Sequence, residues 1–194
     1  SDWTGCPEEL DGDIRGFRQN YPNVRLHTRE GSGEEVAAML AGGNADIAIL
    51  PEYSTHDLRG VIVSPAFMTQ PLYVLSRDME TLPSMEELSA MRQLAAPMGE
   101  ADEEGTRRRI RMFCAKLGFT PKNLALAPNV RSTFTQLLCG NCFTIAPDPP
   151  GLRGLARIPL PGQALRLVFV TPQGRLSPWV PLFESYVRQR RSGE

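Results

Sequence analysis

This 194-residue chain is short of four things. The first is a basic excess: 21 Lys and Arg stand against 22 Asp and Glu, for a net charge of −1. A nucleic-acid-binding surface normally shows surplus cations, so this chain alone is not expected to bind DNA. The second is a long apolar run. No stretch of about 18 uninterrupted apolar residues occurs, which excludes a transmembrane helix and predicts no membrane contact. The third is cysteine: Cys6, Cys114, Cys139 and Cys142 are too sparse for a disulfide scaffold. That scarcity fits a reducing, cytoplasmic setting. The fourth is histidine. His27 and His56 have no acid or nucleophile at a recognised spacing. GxSxG, Walker, HExxH and GxGxxG patterns are all missing, so neither an enzyme nor a cofactor or metal site is expected. No secretory leader is visible, although Ser1 reads as the start of an excised or processed chain.

What the chain does have is a globular composition, 41% hydrophobic and 22% charged. Its most informative stretch is 21–50, YPNVRLHTREGSGEEVAAMLAGGNADIAIL. Val24, Leu26 and Thr28 alternate with Arg25, His27 and Arg29, the period of a half-buried strand. Ser32 with Glu35 three residues on forms a capping-box signature. Val36, Met39 and Leu40 then mark one helical face, and Gly42-Gly43 ends it. ADIAIL follows as an apolar strand. A β-α-β unit of this kind predicts a right-handed crossover in a parallel sheet. Small ligands usually bind at the open end of such a sheet, where Ser32 falls.

The remaining elements follow in order. A short strand is expected over 1–6 and a helix after Pro7, with Leu10, Ile14, Phe17 and Tyr21 on its stripe. Strands are expected over 61–67 and 72–76, split by a polar kink at Thr69–Pro71. Beyond Arg77 come a helix capped by Ser84, a strand at 94–96, a small acidic loop over 97–102 and a helix over 103–117. Ile110, Phe113, Cys114 and Leu117 mark the buried face of that helix, and its acid-then-arginine pattern suits a solvated face. A strand at 124–127 precedes a helix capped by Ser132, with Phe134, Leu137 and Leu138 inward and Gly140 at its end. Strands at 143–146, 155–160 and 165–171 follow. A last helix opens at Ser177-Pro178 and buries Trp179, Phe183, Tyr186 and Val187.

The order and spacing of these motifs resemble the effector-binding domain of LysR-type transcriptional regulators. FRQNYPNVRLHTREGSGEEVAAMLAGGNADIAIL is similar to the family's opening strand, Ser/Thr turn and helix–strand. PLYVLSRD, GTRRRIRMFCAKLGFTP, LLCGNCFTIAPD, ARIPL, LRLVFVT and LSPWVPLFESYVR match later family segments, so the likeness covers nearly the whole chain. The resemblance implies an α/β fold of two Rossmann-like lobes joined by two crossover strands, like type II periplasmic binding proteins. Lobe I would be 1–76 plus 166–194 and lobe II 77–165. The family's N-terminal winged helix-turn-helix is absent from this chain. Two departures stand out: Arg77-Asp78 replaces the usual His-Pro, and Asn141-Cys142 the usual Gly-Ile.

The resemblance also implies a small-molecule effector in the inter-lobe cleft. Its walls would be Gly5, Cys6, Ser32 and Phe67 from lobe I, with Met98, Gly99, Glu100, Arg131, Ser132 and Thr133 from lobe II. Each of these has an ordinary reading beside it: a helix cap for Ser32, a solvated loop for the others. Cys139-Gly-Asn-Cys142 sits at a helix C-terminus, where the dipole does not activate a thiol. Structural cysteines come first there, then a redox switch, then metal. Family membership further implies homodimers or tetramers, with DNA reached only through the missing winged helix. The alternative function is a periplasmic type II solute-binding protein serving a transporter.

Overall fold

The computed structural model describes residues 8–29, 31, 33–96, 103–148, 153–174 and 177–192. In chain order the elements are α1 (Glu8–Asn20), α2 (Gly33–Ala41), β1 (Ala48–Pro51), β2 (Val61–Val63) and β3 (Met68–Ser76). Then come α3 (Met85–Ala90), β4 (Arg92–Ala95), α4 (Glu103–Lys116), β5 (Asn123–Leu126) and α5 (Val130–Cys139). The chain closes with β6 (Phe143–Pro147), β7 (Ala156–Pro172) and α6 (Trp179–Ser192). They fall into two compact units. Among the described residues, lobe I holds Glu8–Thr69 and those from Arg166 on; lobe II is Gln70–Leu165. The chain passes between units twice, inside β3 and inside β7.

In lobe I, β1 and β2 both pair antiparallel with the second half of β7, Ala48 opposite Val170 and Val61 opposite Pro172. Leu167, Val168, Phe169 and Val170 are all buried, because both faces of β7 are covered here. Val168 and Val170 pack with Val36 and Leu40 of α2 and with Leu50. Phe169 stacks on Phe67 at 4.0 Å and meets Phe183 edge-on at 6.1 Å. Phe183 meets Phe17 of α1 at 5.1 Å, completing an aromatic layer that ties α1 to α6. The stripe of α1 carries one residue that the hydrophobic spacing omits. Asp13 is buried, with Arg191 donating to it at 2.5 Å and Arg190 forming an ion pair with it at 3.4 Å.

In lobe II the strand order is β7-β3-β6-β4-β5. β3 and β6 are antiparallel, whereas β6, β4 and β5 run parallel. Alternate residues of β3 serve opposite cores: Leu72 and Val74 pack with Leu88, Cys114 and Phe143, while Leu75 packs with Leu94, Leu137 and Cys142. Helix α3 starts with a complete capping box, Ser84 accepting from the Glu87 amide and Glu87 accepting from the Ser84 amide.

Several expectations change. Residues 24–28 form no ladder among the described residues, and β1 is antiparallel to its neighbour, so the parallel β-α-β unit of lobe I is not found there. Val24 and Leu26 are half-buried and Arg25, His27 and Arg29 exposed, but Thr28 is exposed too and does not share the inner side. The period-2 pattern records that half-covering, not a hydrogen-bonded partner. The strand expected over 61–67 is only Val61–Val63. No kink separates it from a strand at 72: β3 runs unbroken from Met68 through Pro71. Pro71 lies outside the β3–β6 register, which begins at Leu72, so its missing N–H costs that ladder nothing. The last two strands are one, with Gly162 at φ 71 absorbing the Pro161-Gly162 turn signal. Trp179 is 49% exposed rather than buried; Val180 takes the inner position instead. Leu138 is likewise exposed, and Thr133 with Leu137 forms the buried face of α5. The strand expected over 1–6 lies outside the described residues.

Candidate functional site

In the lobe II sheet two parallel strands end together at one edge. Ala95 of β4 lies opposite Leu126 of β5 in a parallel register, and the Ala127 amide donates to the Ala95 carbonyl at 2.8 Å. The carboxyl ends of both strands therefore finish side by side. Each is followed by a helix, α4 after β4 and α5 after β5. Helix N-termini at the carboxyl edge of parallel strands carry unpaired N–H groups and positive dipole ends, which suit an anion.

The first turn of α5 is ordered by Asn129. Its side chain accepts from the Ser132 amide at 2.8 Å, and its carbonyl accepts from the Thr133 amide and hydroxyl at 3.0 and 3.2 Å. Ser132 is therefore not the cap; it sits within the helix. Asparagine caps as well as serine does, and position 129 precedes the apolar run by the right interval. Arg131 is exposed and makes no ion pair with a described residue. Thr133 is buried. Arg131, Ser132 and Thr133 thus share one turn, as their sequence adjacency on a helix requires.

In α4, the sequence reading overlooked Thr106. It is 4% exposed, and its hydroxyl has no hydrogen-bond partner among the described residues. An unsatisfied buried hydroxyl costs about 1–3 kcal/mol, so one lying in the first turns of α4 marks a place where a water or ligand atom would be favoured. Only an acidic start followed by Gly105-Thr106 pointed to it. Further along α4, Arg107 donates to Glu103 at 2.6 Å and to the Leu124 carbonyl at 2.5 Å, which fixes the helix against β5.

Met98, Gly99, Glu100, Ser32, Gly5 and Cys6 lie outside the described residues. Phe67 is described, and it is a core residue stacked on Phe169.

The two departures from the family pattern meet in lobe II. Asp78 accepts from the Asn141 amide at 2.6 Å, and Arg77 donates to the Leu138 carbonyl at 2.8 Å. Ser76 donates to the Cys142 carbonyl at 2.9 Å. Together they clamp a turn in which Gly140 has φ 88 and Asn141 φ 59. The cysteines there are free: Cys139 exposed, Cys142 buried. Their thiols lie 3.5 Å from the carbonyls of Thr135 and Gln136 respectively. Burial pushes the Cys142 thiol upward, only partly opposed by Arg92, which makes it a poor nucleophile. Among the described residues no three metal-binding side chains cluster, and no helix is long and apolar enough to cross a membrane.

The model of the LysR substrate binding domain matches residues 13–192. The chain belongs to this family. Its fold is similar to the BenM effector binding domain solved with its effector benzoate: TM-score 0.76 at 15% identity, covering 95% of this chain and 86% of that one. It is also similar to HinK, a LysR family transcriptional regulator from Pseudomonas aeruginosa, with TM-score 0.72 and 23% identity over 94% of this chain and 66% of that one. Full-length CbnR complexed with its target DNA matches with TM-score 0.70 and 14% identity, over 93% of this chain and 64% of CbnR. The chain thus spans about two thirds of the HinK and full-length CbnR chains it resembles. As a LysR effector-binding domain it has the fold of type II periplasmic binding proteins, and its family is one of regulators, not transport proteins. Family and fold point to a regulatory domain rather than an enzyme.

Proposed function

We propose that this domain senses a small anionic effector, and that it does so for a DNA-binding regulator of which it is the sensory part. The observation that supports this most is the family match from residue 13 to residue 192. The carboxyl edge of lobe II supplies the chemistry. Arg131 offers a cation without an ion-pair partner among the described residues, and the α5 N-terminus offers backbone N–H groups beside Ser132. Met98, Gly99 and Glu100, which follow β4 in the sequence, are proposed as further contacts, and Thr106 has a hydroxyl without a partner among the described residues. The family resemblance adds Gly5, Cys6 and Ser32 as expected effector contacts, whereas Phe67 is held in its stack on Phe169. BenM, whose effector is benzoate, gives the example of a carboxylate in this fold.

In the whole regulator the effector acts by preferring one conformation over another, since a ligand with equal affinity for both shifts nothing. Homodimers or tetramers in the cytoplasm, and DNA contact through a separate winged helix, complete the reading. The experiment is calorimetry with a panel of small carboxylates, benzoate included. A micromolar or tighter binder for wild type, weakened about tenfold in Arg131→Ala, supports the site; each tenfold corresponds to about 1.4 kcal/mol. A binder whose affinity is the same for wild type, Arg131→Ala and Ser32→Ala contradicts it.

A further inference from the structure

The effector edge uses neither cysteine of the 139–142 segment, yet the fold of lobe II places them as a pair. Cys139 is the last residue of α5 and is exposed; Cys142 directly precedes β6 and is 2% exposed. The Cys139 thiol donates to the Thr135 carbonyl at 3.5 Å, and the Cys142 thiol to the Gln136 carbonyl at 3.5 Å. Those carbonyls belong to consecutive residues of one helical turn. Residue 139 follows them by four and three positions, so its Cβ stands on their side of the helix. A rotation about χ1 carries the Cys139 sulfur from the Thr135 carbonyl towards that of Gln136, where the Cys142 sulfur already sits. Cys139 also adds to the upward pKa shift of Cys142, behind burial and Asp78 and against Arg92.

The turn between the two cysteines is held from outside. Arg77 donates to the Leu138 carbonyl, Asp78 accepts from the Asn141 amide, and Ser76 donates to the Cys142 carbonyl. The backbone of both cysteines is therefore fixed before any reaction. Cys142 packs with Leu75, Leu94, Leu137 and Leu155, away from solvent. An exposed thiol with a buried one beside it suits a division of labour: the first is oxidised from solution and the second resolves the product before further oxidation.

We propose that Cys139 and Cys142 form a reversible dithiol–disulfide couple whose oxidant, a hydroperoxide, is met by Cys139. The Cys139 sulfur attacks the peroxide and the O–O bond breaks. The departing oxygen takes up the thiol proton and leaves as an alcohol or water, and Cys139 becomes a sulfenic acid. The Cys142 sulfur then attacks the Cys139 sulfur. The S–S bond forms, the S–O bond breaks, and the sulfenic oxygen leaves as water with the Cys142 proton. Two electrons pass from the thiols to the peroxide, and a dithiol reductant returns them. At a helix C-terminus the dipole does not promote the thiolate, so the couple suits the sensing of sustained oxidant rather than rapid scavenging.

The test treats the full chain, reduced and then freed of reductant, with hydrogen peroxide. Remaining thiols are blocked with iodoacetamide in denaturant, and the tryptic peptide 132–153, which carries both cysteines, is weighed. The expected product is that peptide lighter by two hydrogens and unalkylated, with both thiols restored by dithiothreitol. In Cys142→Ser the Cys139 sulfenic acid should persist and be trapped by dimedone. In Cys139→Ser, at an exposed position, Cys142 should stay a free thiol. A wild-type peptide alkylated at both cysteines overturns the proposal. So does a main product in which Cys139 is a sulfinic acid or is bonded to another cysteine, or equal oxidation of Cys142 in Cys139→Ser. The wild-type peptide decides the matter even if Cys142→Ser, a core substitution, fails to fold.

Discussion

Asp13 occupies a place on α1 where helical spacing alone would put an apolar residue. It is 2% exposed, and Arg191, itself 15% exposed, donates to it. Removing one partner of a mostly buried pair leaves the other charge uncompensated. Asp13→Ala is therefore expected to destabilise the domain by about 2 kcal/mol, read as a lower urea midpoint. Nothing in the local pattern announced this contact, because its partners are 178 residues away. The Arg77-Asp78 departure behaves differently. It was legible as an oddity, and only the structure shows that it braces the second oddity, Asn141-Cys142. Gly140 has φ 88 and ψ −179, a region that essentially only glycine occupies, and a Cβ there would lie 2.5 Å from Asp78. Gly140→Ala should cost about 2 kcal/mol by thermal or urea unfolding. Asp78→Ala, which strands only the Asn141 amide, should cost about 1 kcal/mol.

At the scale of elements, helices were easier to read than strands. α1, α3, α4 and α6 lie within a few residues of where apolar stripes and caps place them, since a helix satisfies its own backbone and its signals are local. Strands need partners far along the chain. Val24 and Leu26 keep their alternation without a ladder among the described residues, and β7 runs for 17 residues through a Pro-Gly pair that reads locally as a turn. The cap of α5 went to Asn129 because that side chain, not Ser132, reaches the first-turn amide. Asn129→Ala should lose about 1 kcal/mol, whereas Ser132→Ala should leave the melting temperature unchanged while weakening the effector. Helix α3 adds a pH signature. The amide and hydroxyl of Ser84 hold the Glu87 carboxyl below the usual glutamate range, so its stabilisation is present above the unfolded pKa and is lost as pH falls through the folded one. Glu87→Gln should accordingly lower the melting temperature at pH 6 and make no difference at pH 2.

At the scale of the whole molecule, the family was legible from the order and spacing of weak motifs, because those motifs are the turns and caps that start each helix. The site was less legible. The family resemblance pointed to the turn at 131–133, but neither the Thr106 hydroxyl, unpaired among the described residues, nor the Asn129 cap stood out, and Phe67 is held in an aromatic stack. The proposed function turns on the carboxyl edge of lobe II receiving an anionic effector. The most direct measurement is a thermal-shift titration of wild type and Arg131→Ala with the carboxylate panel. Binding to the folded state raises the melting temperature by mass action. The account predicts a saturable rise for at least one carboxylate in wild type and its loss in Arg131→Ala, with both proteins melting alike when no ligand is added. No rise with any carboxylate, or an equal rise in both proteins, would contradict it.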